Sequence, residues 1–349
     1  MPSLSEFCSM LVSNPLLALT MALVAATIFV NGSTDAANSI ADAVGTRSIS
    51  FRNAVILAVV ANFVGLVGAT LVSTAVADTI GHMVDFGGDN HAALVSLAAA
   101  MVAIVVWAGV AWKFGIPTSE SHALIAGLTG AAIAVSGGLS GVNMAEWSKV
   151  LYGLVFSTCM GFALGFVSTK IIREVFAFSD RRKVNRAFGV VQVIGAGFGA
   201  LMHGAQDGQK FMSTATLAVM LANGEQVAQA EGYPMWLMVA CAGLMAFGTA
   251  VGGKKIVKTV GTQMVPMEKY QGAAASMSDG FSLLASTLFG MPVSTTHTKS
   301  SAIMGTGAAK SVRSVNWGIA GDIVMTWVMT FPGCGLLGYM LAWIFLRIF

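Results

Sequence analysis

The sequence predicts an all-α polytopic membrane protein, built from two inverted repeats of about five spans each. Three observations predict it: an apolar composition, long uncharged stretches, and polar motifs that occur twice. Of the 349 residues, 56% are hydrophobic and 10% are charged, whereas a soluble domain carries about 25% charged residues. The mean hydropathy is +0.76. The composition therefore makes the lipid bilayer the expected partner and excludes a soluble globular protein.

The uncharged stretches have the length of membrane helices. A helix needs roughly 20 apolar residues to cross a bilayer, and no stretch alternates polar and apolar residues as a barrel strand would. The first basic residue is Arg47, so no basic segment precedes the first apolar run, as a cleavable signal would require. We expect an integral protein of the cell (inner) membrane, with helices in 53–77, 91–112, 121–145, 150–169, 187–206, 232–253 and 323–346.

The first polar motif, NGSTDAANS, occupies residues 31–39 directly after an apolar run. Polar groups at membrane depth must face protein or water, because lipid cannot satisfy their hydrogen bonds. Asp35 and Asn38 are three residues apart, so a continuing helix places them on one face. An intramembrane carboxylate usually binds a cation, relays a proton or contacts substrate. The motif is therefore a candidate binding site.

The second motif, IPTSESH, occupies residues 116–122 and has the residue types of a helix start. Proline is favoured in the first helical turn, and serine or threonine is favoured as the N-cap. The free N–H groups at such an end bind anions, and the hydroxyls of Ser119 and Ser121 are further donors. The pattern predicts a re-entrant helical hairpin near residues 117–136.

Both motifs recur in the second half of the chain. HGAQDGQKF occupies 203–211 and MPVSTTH occupies 291–297. Asp207 follows Asp35 at almost the same interval as Pro292 follows Pro117, and each interval is close to half the length of the chain. The order and spacing predict a first repeat at 1–170, a connecting loop at 171–186, and a second repeat at 187–349 with its own hairpin near 292–308.

The basic residues predict that the second repeat is inverted. Residues 1–46 contain no Lys or Arg, whereas 170–186 contain six. Since basic loops stay in the cytoplasm, the connecting loop is expected inside, and the N- and C-termini outside. An odd number of spans, about five, then separates the N-terminus from the connecting loop. Inverted repeats with broken helices near the membrane midplane are typical of secondary transporters.

The predicted site combines helix N-termini and hydroxyls, which bind oxyanions, with two carboxylates, which repel them. A bound cation, or a proton on the anion, removes this conflict. Phosphate has a second pKa of about 6–7 and retains a proton that sulfate lacks, so the carboxylates favour phosphate. Neither a resident metal, a cofactor nor a nucleic-acid partner is expected, and no enzymatic activity is predicted.

At these motifs the sequence resembles the inorganic phosphate transporter (PiT) family, across essentially the whole chain. The resemblance implies symport of phosphate with Na⁺ or H⁺. It departs from the family at Thr34 and Gln206, which replace an asparagine, and at Glu120, which replaces a threonine and is either a proton carrier or a vestibule residue. The resemblance implies Asp35, Asn38 and Asp207 as coupling-ion residues, and Glu120 joins them as the candidate proton carrier. The implied phosphate contacts are Ser119, Ser121, Ser294, Thr295, Thr296, Asp35, Asn38, Asp207 and Gln209.

Three alternatives remain at this point: a sulfate symporter of the same architecture, a passive anion channel, and an intramembrane hydrolase using Ser294 with His297. Lys210 is placed to pair with Asp207, whereas Lys299 either attracts anions or extends to an interface. The sequence leaves open the coupling ion, cotransport of a divalent metal and the oligomeric state, and a homo-oligomer is compatible with it.

Overall fold

A computed structural model describes residues 1–87, 89–114, 118–224, 232–251 and 257–349. Across these ranges the chain is helical, and the β-type pairing consists of an isolated bridge between Val84 and Val142. The α-helices are α1 (Leu4–Ser13), α2 (Pro15–Thr34), α3 (Ala41–Gly45), α4 (Phe51–Val72), α5 (Ala75–Gly81), α6 (Asn90–Phe114), α7 (Glu120–Ser136), α8 (Met144–Val175), α9 (Arg181–His203), α10 (Gln209–Asn223), α11 (Met235–Val251), α12 (Lys269–Leu288), α13 (Thr295–Lys310) and α14 (Trp317–Ile348).

Several of these helices are long and apolar enough to cross a bilayer. Within the described ranges, six segments meet that condition by length and composition, and α1 and α11 are shorter apolar helices. The six segments support an integral membrane protein, as the composition predicts. They are Pro15–Gly45, Phe51–Val72, Asn90–Ala111, Met144–Val175, Arg181–Asn223 and Trp317–Ile348.

The connection between the two halves is shorter than the predicted loop at 171–186. Helix α8 continues to Val175 and α9 begins at Arg181. The Asp180 carboxylate accepts a hydrogen bond from the Arg182 N–H at 2.8 Å and caps the start of α9. Because charged residues are tolerated where a helix projects beyond the bilayer, the basic residues belong to helix ends rather than to a loop. The prediction was wrong about the extent of this loop.

The main contacts between long helices in one half have counterparts in the other. Helix α7 packs against α14, and α13 packs against α8; likewise α2 packs against α6 and α11, and α9 against α12 and α4. The helices of each pair approach closely because a glycine lies at the equivalent crossing in each half. A Cβ on Gly130 would overlap the Gly335 carbonyl of α14, and a Cβ on Gly305 would overlap the Phe162 carbonyl of α8. Gly305 follows Gly130 at the same interval that separates the two proline motifs.

Two of the core helices are interrupted, and these interruptions position the polar motifs. After α2 the backbone forms a 3₁₀ turn over Asp35–Ile40 before α3. After α9 it forms a π turn over Gly204–Gly208 before α10. All residues of both turns are buried. Changes of helical period of this kind are frequent at functional sites.

Candidate substrate site

Two short segments lead into α7 and α13, and we call them the first tip (residues 118–122) and the second tip (residues 293–297). Ser119 and Ser294 are the N-cap residues, and each Oγ accepts a hydrogen bond from the backbone N–H three residues later, at 3.2 Å. Both serines are fully buried. Since a hydroxyl also carries a donor hydrogen, capping leaves each serine one donor for a ligand. Pro117, where the first hairpin was predicted to begin, lies outside the described residues.

Asp207 is the point where the two tips meet. The Ser121 hydroxyl of the first tip donates to Asp207 Oδ1 at 2.9 Å. The Thr295 hydroxyl of the second tip donates to Asp207 Oδ2 at 3.3 Å. Asn31 Nδ2 donates to the same oxygen at 3.1 Å, and His203 Nε2 lies 3.3 Å from it. One carboxylate therefore joins α7, α13 and both broken helices.

Lys210 is the cation of this cluster. Its Nζ lies 2.8 Å from Asp207 Oδ1, donates to Ser121 Oγ at 2.8 Å, and also donates to the Val293 carbonyl. Lysine and aspartate are both fully buried. The sequence placed Lys210 near Asp207, and the contact is a buried ion pair of the kind that stays together because either charge alone is strongly disfavoured.

Asp35 has different surroundings. Its Oδ2 accepts the backbone N–H of Glu120 at 3.2 Å, at the start of α7. The Glu120 side chain accepts a hydrogen bond from the Thr34 hydroxyl, and Asn38 Nδ2 donates to Thr296 Oγ1 at 3.0 Å. Glu120 is 1% exposed, so it is not a residue of an open aqueous vestibule in this structure.

Several oxygen atoms around Asp35 have no hydrogen-bond partner among the residues that the structure describes. They are Asn31 Oδ1, Asn38 Oδ1 and Glu120 Oε2. All three residues are almost completely buried. Buried polar atoms in proteins are nearly always paired, so three lone acceptors in one region call for donors or a cation. Carbonyl and carboxylate oxygens are the ligand type that hard cations prefer.

The two glutamines after His203 have different roles. Gln206 Nε2 donates to Thr287 Oγ1 at 2.9 Å, and its Oε1 accepts the N–H of Val293 at 3.3 Å, so it holds the second tip in place. Gln209, predicted as a phosphate contact, instead donates to the Ser73 carbonyl at 2.7 Å. The side chain therefore faces the connection between α4 and α5, and the structure does not bring it to Asp207 or Asp35.

The two histidines of the tips pack against each other. The rings of His122 and His297 lie 4.3 Å apart, edge to face. Trp327 stacks on His297 at 3.8 Å, and Phe331 lies 4.6 Å from His122. The ring nitrogens of both histidines lack hydrogen-bond partners within the described ranges. The pair thus packs in an aromatic environment that includes the buried Trp327.

Sequence reasoning missed two members of the site, Asn31 and His203. Each lies four residues before its aspartate, Asp35 or Asp207, so a helix places it one turn away on the same face. The repeat carried the signal that could have found them, because His203 follows Asn31 at the same interval that separates the two aspartates. Lys299, in contrast, neither extends to an interface nor joins this cluster. It is buried and paired with Asp42 at 3.0 Å.

A buried polar site between broken helices is an arrangement typical of secondary transporters, and comparison with known proteins agrees. The profile described as the phosphate transporter family matches residues 31–338. The chain therefore belongs to the phosphate transporter family, which confirms the resemblance seen in the motifs and leaves the hydrolase alternative without support. The family and the similar proteins are transporters, not enzymes.

Two curated relatives carry the description "Probable low-affinity inorganic phosphate transporter". The protein of Bacillus subtilis (strain 168) is 38% identical over 321 residues, covering 92% of this chain and 94% of its own. The protein of Rhizobium meliloti (strain 1021) is 37% identical over 309 residues, covering 88% and 90%. A solved structure titled "The sodium-dependent phosphate transporter" matches with a TM-score of 0.84 at 21% identity, covering 96% of this chain and all of that one. At that identity the structural match establishes the shared fold.

Proposed function

We propose that the protein is a secondary active symporter of inorganic phosphate, driven by Na⁺ or H⁺, in the cell inner membrane. Phosphate is held between the first and second tips near the bilayer midplane, and the N- and C-termini lie outside. Membership of the phosphate transporter family and the description of the curated relatives as phosphate transporters support the substrate.

The observation that carries the proposal is the convergence of both tips on Asp207, through Ser121 and Thr295. Each tip is the N-terminus of a helix, and helix N-termini favour bound anions through their free N–H groups and dipole. Two such ends at one place form a cradle for a tetrahedral oxyanion. The matched helix contacts of the two halves and the glycines at equivalent crossings support the proposed repeat, with each tip in a re-entrant hairpin.

Charge balance supports coupling to cations. Asp35, Glu120 and Asp207 are three buried carboxyl groups, and Lys210 is the ammonium ion paired within the cluster. With all three carboxyl groups ionised, one ammonium faces three carboxylates among the described residues of the cluster, so two negative charges are unbalanced with a neutral His203, before phosphate adds its own. Burying unpaired charge costs several kcal/mol per ion, so phosphate enters together with Na⁺ ions or protons.

The two aspartates take different parts in this scheme. Lys210 is a tethered cation at Asp207, whereas Asp35 contacts the backbone N–H of Glu120 and has no lysine or arginine salt bridge in the described chain. We therefore place the coupling ion beside Asp35, with Asn38 and Glu120. The lone oxygens of Asn31, Asn38 and Glu120 suit Na⁺, while protonation of Glu120 is the corresponding arrangement for H⁺ coupling.

Phosphate is favoured over sulfate by the same carboxylates. Dihydrogen phosphate and hydrogen phosphate can each donate a hydrogen bond to a carboxylate, whereas sulfate has no hydrogen to donate near neutral pH. Bound sulfate would place an acceptor oxygen against a buried carboxylate, and this repulsion disfavours sulfate. A sulfate symporter is the second candidate, and no contact among the described residues favours it.

The test is uptake of labelled phosphate into proteoliposomes, with the Na⁺ gradient and the pH gradient imposed separately. We expect accumulation above the external concentration under at least one gradient, and no competition from excess sulfate. Liposomes without protein and liposomes with both gradients dissipated are the controls. Equilibration without accumulation under every gradient would establish a passive channel, and preferential accumulation of sulfate would establish the alternative substrate.

A further inference from the structure

A second buried charged cluster lies beside the substrate site and has no part in the scheme above. Lys299 of α13 lies 3.0 Å from Asp42 Oδ1 of α3 and 3.9 Å from Asp279 Oδ2 of α12. Ser276 donates to Asp42 Oδ2 at 2.6 Å, and Lys299 Nζ donates to Ser276 Oγ at 3.2 Å. All four residues are almost completely buried.

The two carboxyl groups of this cluster are unequally satisfied. Asp42 accepts from Lys299, from the Ser276 hydroxyl and from the backbone N–H of Ala43 at 2.9 Å, which are the donors that an ionised carboxylate needs. Asp279 Oδ2 is beyond hydrogen-bond distance of Lys299, and Asp279 Oδ1 has no partner within the described residues. The ammonium is therefore closer to Asp42, and the Asp279 carboxyl group has no hydrogen-bond donor among the residues that the structure describes.

The backbone of α9 lies close to one side of the Asp279 carboxyl group. On the side of α9, a Cβ built on Gly199 would stand 2.9 Å from Asp279 Oδ2, so the helix backbone closes against this oxygen. A buried carboxylate is strongly disfavoured when it has no hydrogen-bond donor and its nearest ammonium, here 3.9 Å away, already pairs with another carboxylate. The simplest ligand that removes this charge is a hydrogen ion.

We infer that Asp279 is a proton-binding site, occupied at neutral pH, which is separate from the substrate site. Its proton makes the cluster electrically neutral, with the Asp42–Lys299 pair as the remaining ions. The titratable groups that face Asp279 are Lys299 of α13, Asp42 of α3 and His203 of α9. Helix α8 also packs on α12, and its buried face carries no titratable residue.

The position of this proton links it to both halves of the substrate site. Lys299 lies on α13, four residues after Thr295 of the second tip, and Asp42 lies in the short helix that follows the Asp35 turn. On α9, His203 is one turn beyond Gly199 and contacts Asp207. Loss of the proton would leave a second negative charge competing for Lys299, which holds the second tip to the first broken helix. The proton therefore favours the contact between α13 and α3 that the Lys299–Asp42 pair makes.

The direct test is infrared spectroscopy of purified protein with ¹³C-labelled aspartate at neutral pH. We expect the carbonyl band of a protonated aspartic acid, with the isotope shift. The band from Asp279 should disappear in Asp279→Asn and remain in Ser282→Ala, which removes a buried hydroxyl one turn away that bonds only to its own helix. An Asp279→Asn spectrum identical to the wild type would overturn the inference.

A second variant keeps the inference testable if Asp279→Asn does not fold. In Asp42→Asn, Lys299 has lost its carboxylate partner, so Asp279 should ionise and its protonated band should again disappear. Persistence of the full band in Asp42→Asn, or the absence of any protonated aspartate in the wild type, would contradict the assignment.

The transport consequence rests on the proposed function and is measured separately. Asp279→Asn is a fixed mimic of the protonated state, so phosphate binding should remain, and phosphate uptake by the variant should lack the fall at alkaline pH that deprotonation of Asp279 causes in the wild type. If wild-type protein moved no phosphate, the proposed function would fail, whereas the infrared result would still decide the protonation of Asp279.

Discussion

Replacing Lys210 by methionine removes the ammonium from the centre of the substrate site while keeping an unbranched side chain of similar length. In the wild type this group lies 2.8 Å from Asp207 Oδ1 and donates to Ser121 and to the Val293 carbonyl. After the substitution, Asp207 keeps the neutral donors of Ser121, Thr295 and Asn31 but loses its cation.

The magnitude follows from the burial of the pair. Both side chains are fully buried, and removing one partner of a buried ion pair costs about 3–5 kcal/mol because the other charge stays unpaired. If Lys210 occupies the place of a coupling ion, Na⁺ can replace the missing ammonium. Each tenfold rise in Na⁺ above its Kd should then restore about 1.4 kcal/mol.

The assay is thermal unfolding in detergent over a Na⁺ titration, with choline keeping the ionic strength constant. Lys149→Met is the matched control, because Lys149 pairs with Glu146 at a half-exposed position and should cost less than about 1 kcal/mol. A Lys210→Met protein as stable as the wild type without Na⁺ would refute the buried-pair argument. A destabilised protein with no response to Na⁺ would refute the idea of a tethered cation.

Three further predictions concern the carboxylates, the helix crossings and the surface. Asp35→Asn and Asp207→Asn should each lower phosphate uptake at least about tenfold, since Asp35 holds the coupling ion and Asp207 joins the tips. Normal uptake by both folded variants would show that these carboxylates have no part in transport. Gly305→Ala should lower the free energy of unfolding by about 1–3 kcal/mol, because the added Cβ would overlap a carbonyl of α8. Gly68→Ala is the control, since the space around Gly68 is open, and it should be neutral or stabilising. Equal effects of the two substitutions in thermal unfolding would contradict the crossing geometry. A hydrogen bond from Lys310, the last residue of α13, lowers the pKa of Glu268. Glu268 therefore stabilises the fold at pH values above its ordinary pKa of 4.5. This stabilisation is lost as the pH falls through the lowered pKa. Glu268→Gln should therefore cost less than about 1 kcal/mol at neutral pH and nothing in strong acid, and a constant cost at every pH would disprove the ionic origin.

The structure brings most of the predicted site residues together, but not all of them. Asp35, Asn38, Glu120, Ser121, Asp207, Thr295 and Thr296 lie in one connected cluster. Gln209 does not join it, although it follows Asp207 by only two residues. Neighbouring positions on a helix face different directions, and the π turn at Gly204–Gly208 changes those directions in a way that a regular helical period does not predict.

The features that the sequence predicts by itself depend on the local chemistry of short segments. Uncharged stretches of bilayer length predict membrane helices, and serine before a polar turn predicts a capped helix start. Two motifs that recur in the same order at nearly equal intervals predict a duplicated plan. These properties depend on residues close together in the chain or on repetition of the same residues.

Only the tertiary structure decided which charges neutralise one another. Asp42, Asp279 and Lys299 are far apart in sequence, and no motif joins them, yet they meet in one buried cluster. Burial makes such pairings strong and selective because an unpaired charge in the protein interior is costly. The partner of each charge nevertheless depends on how α3, α12 and α13 cross, and that crossing is set by packing over the whole bundle rather than by any segment alone.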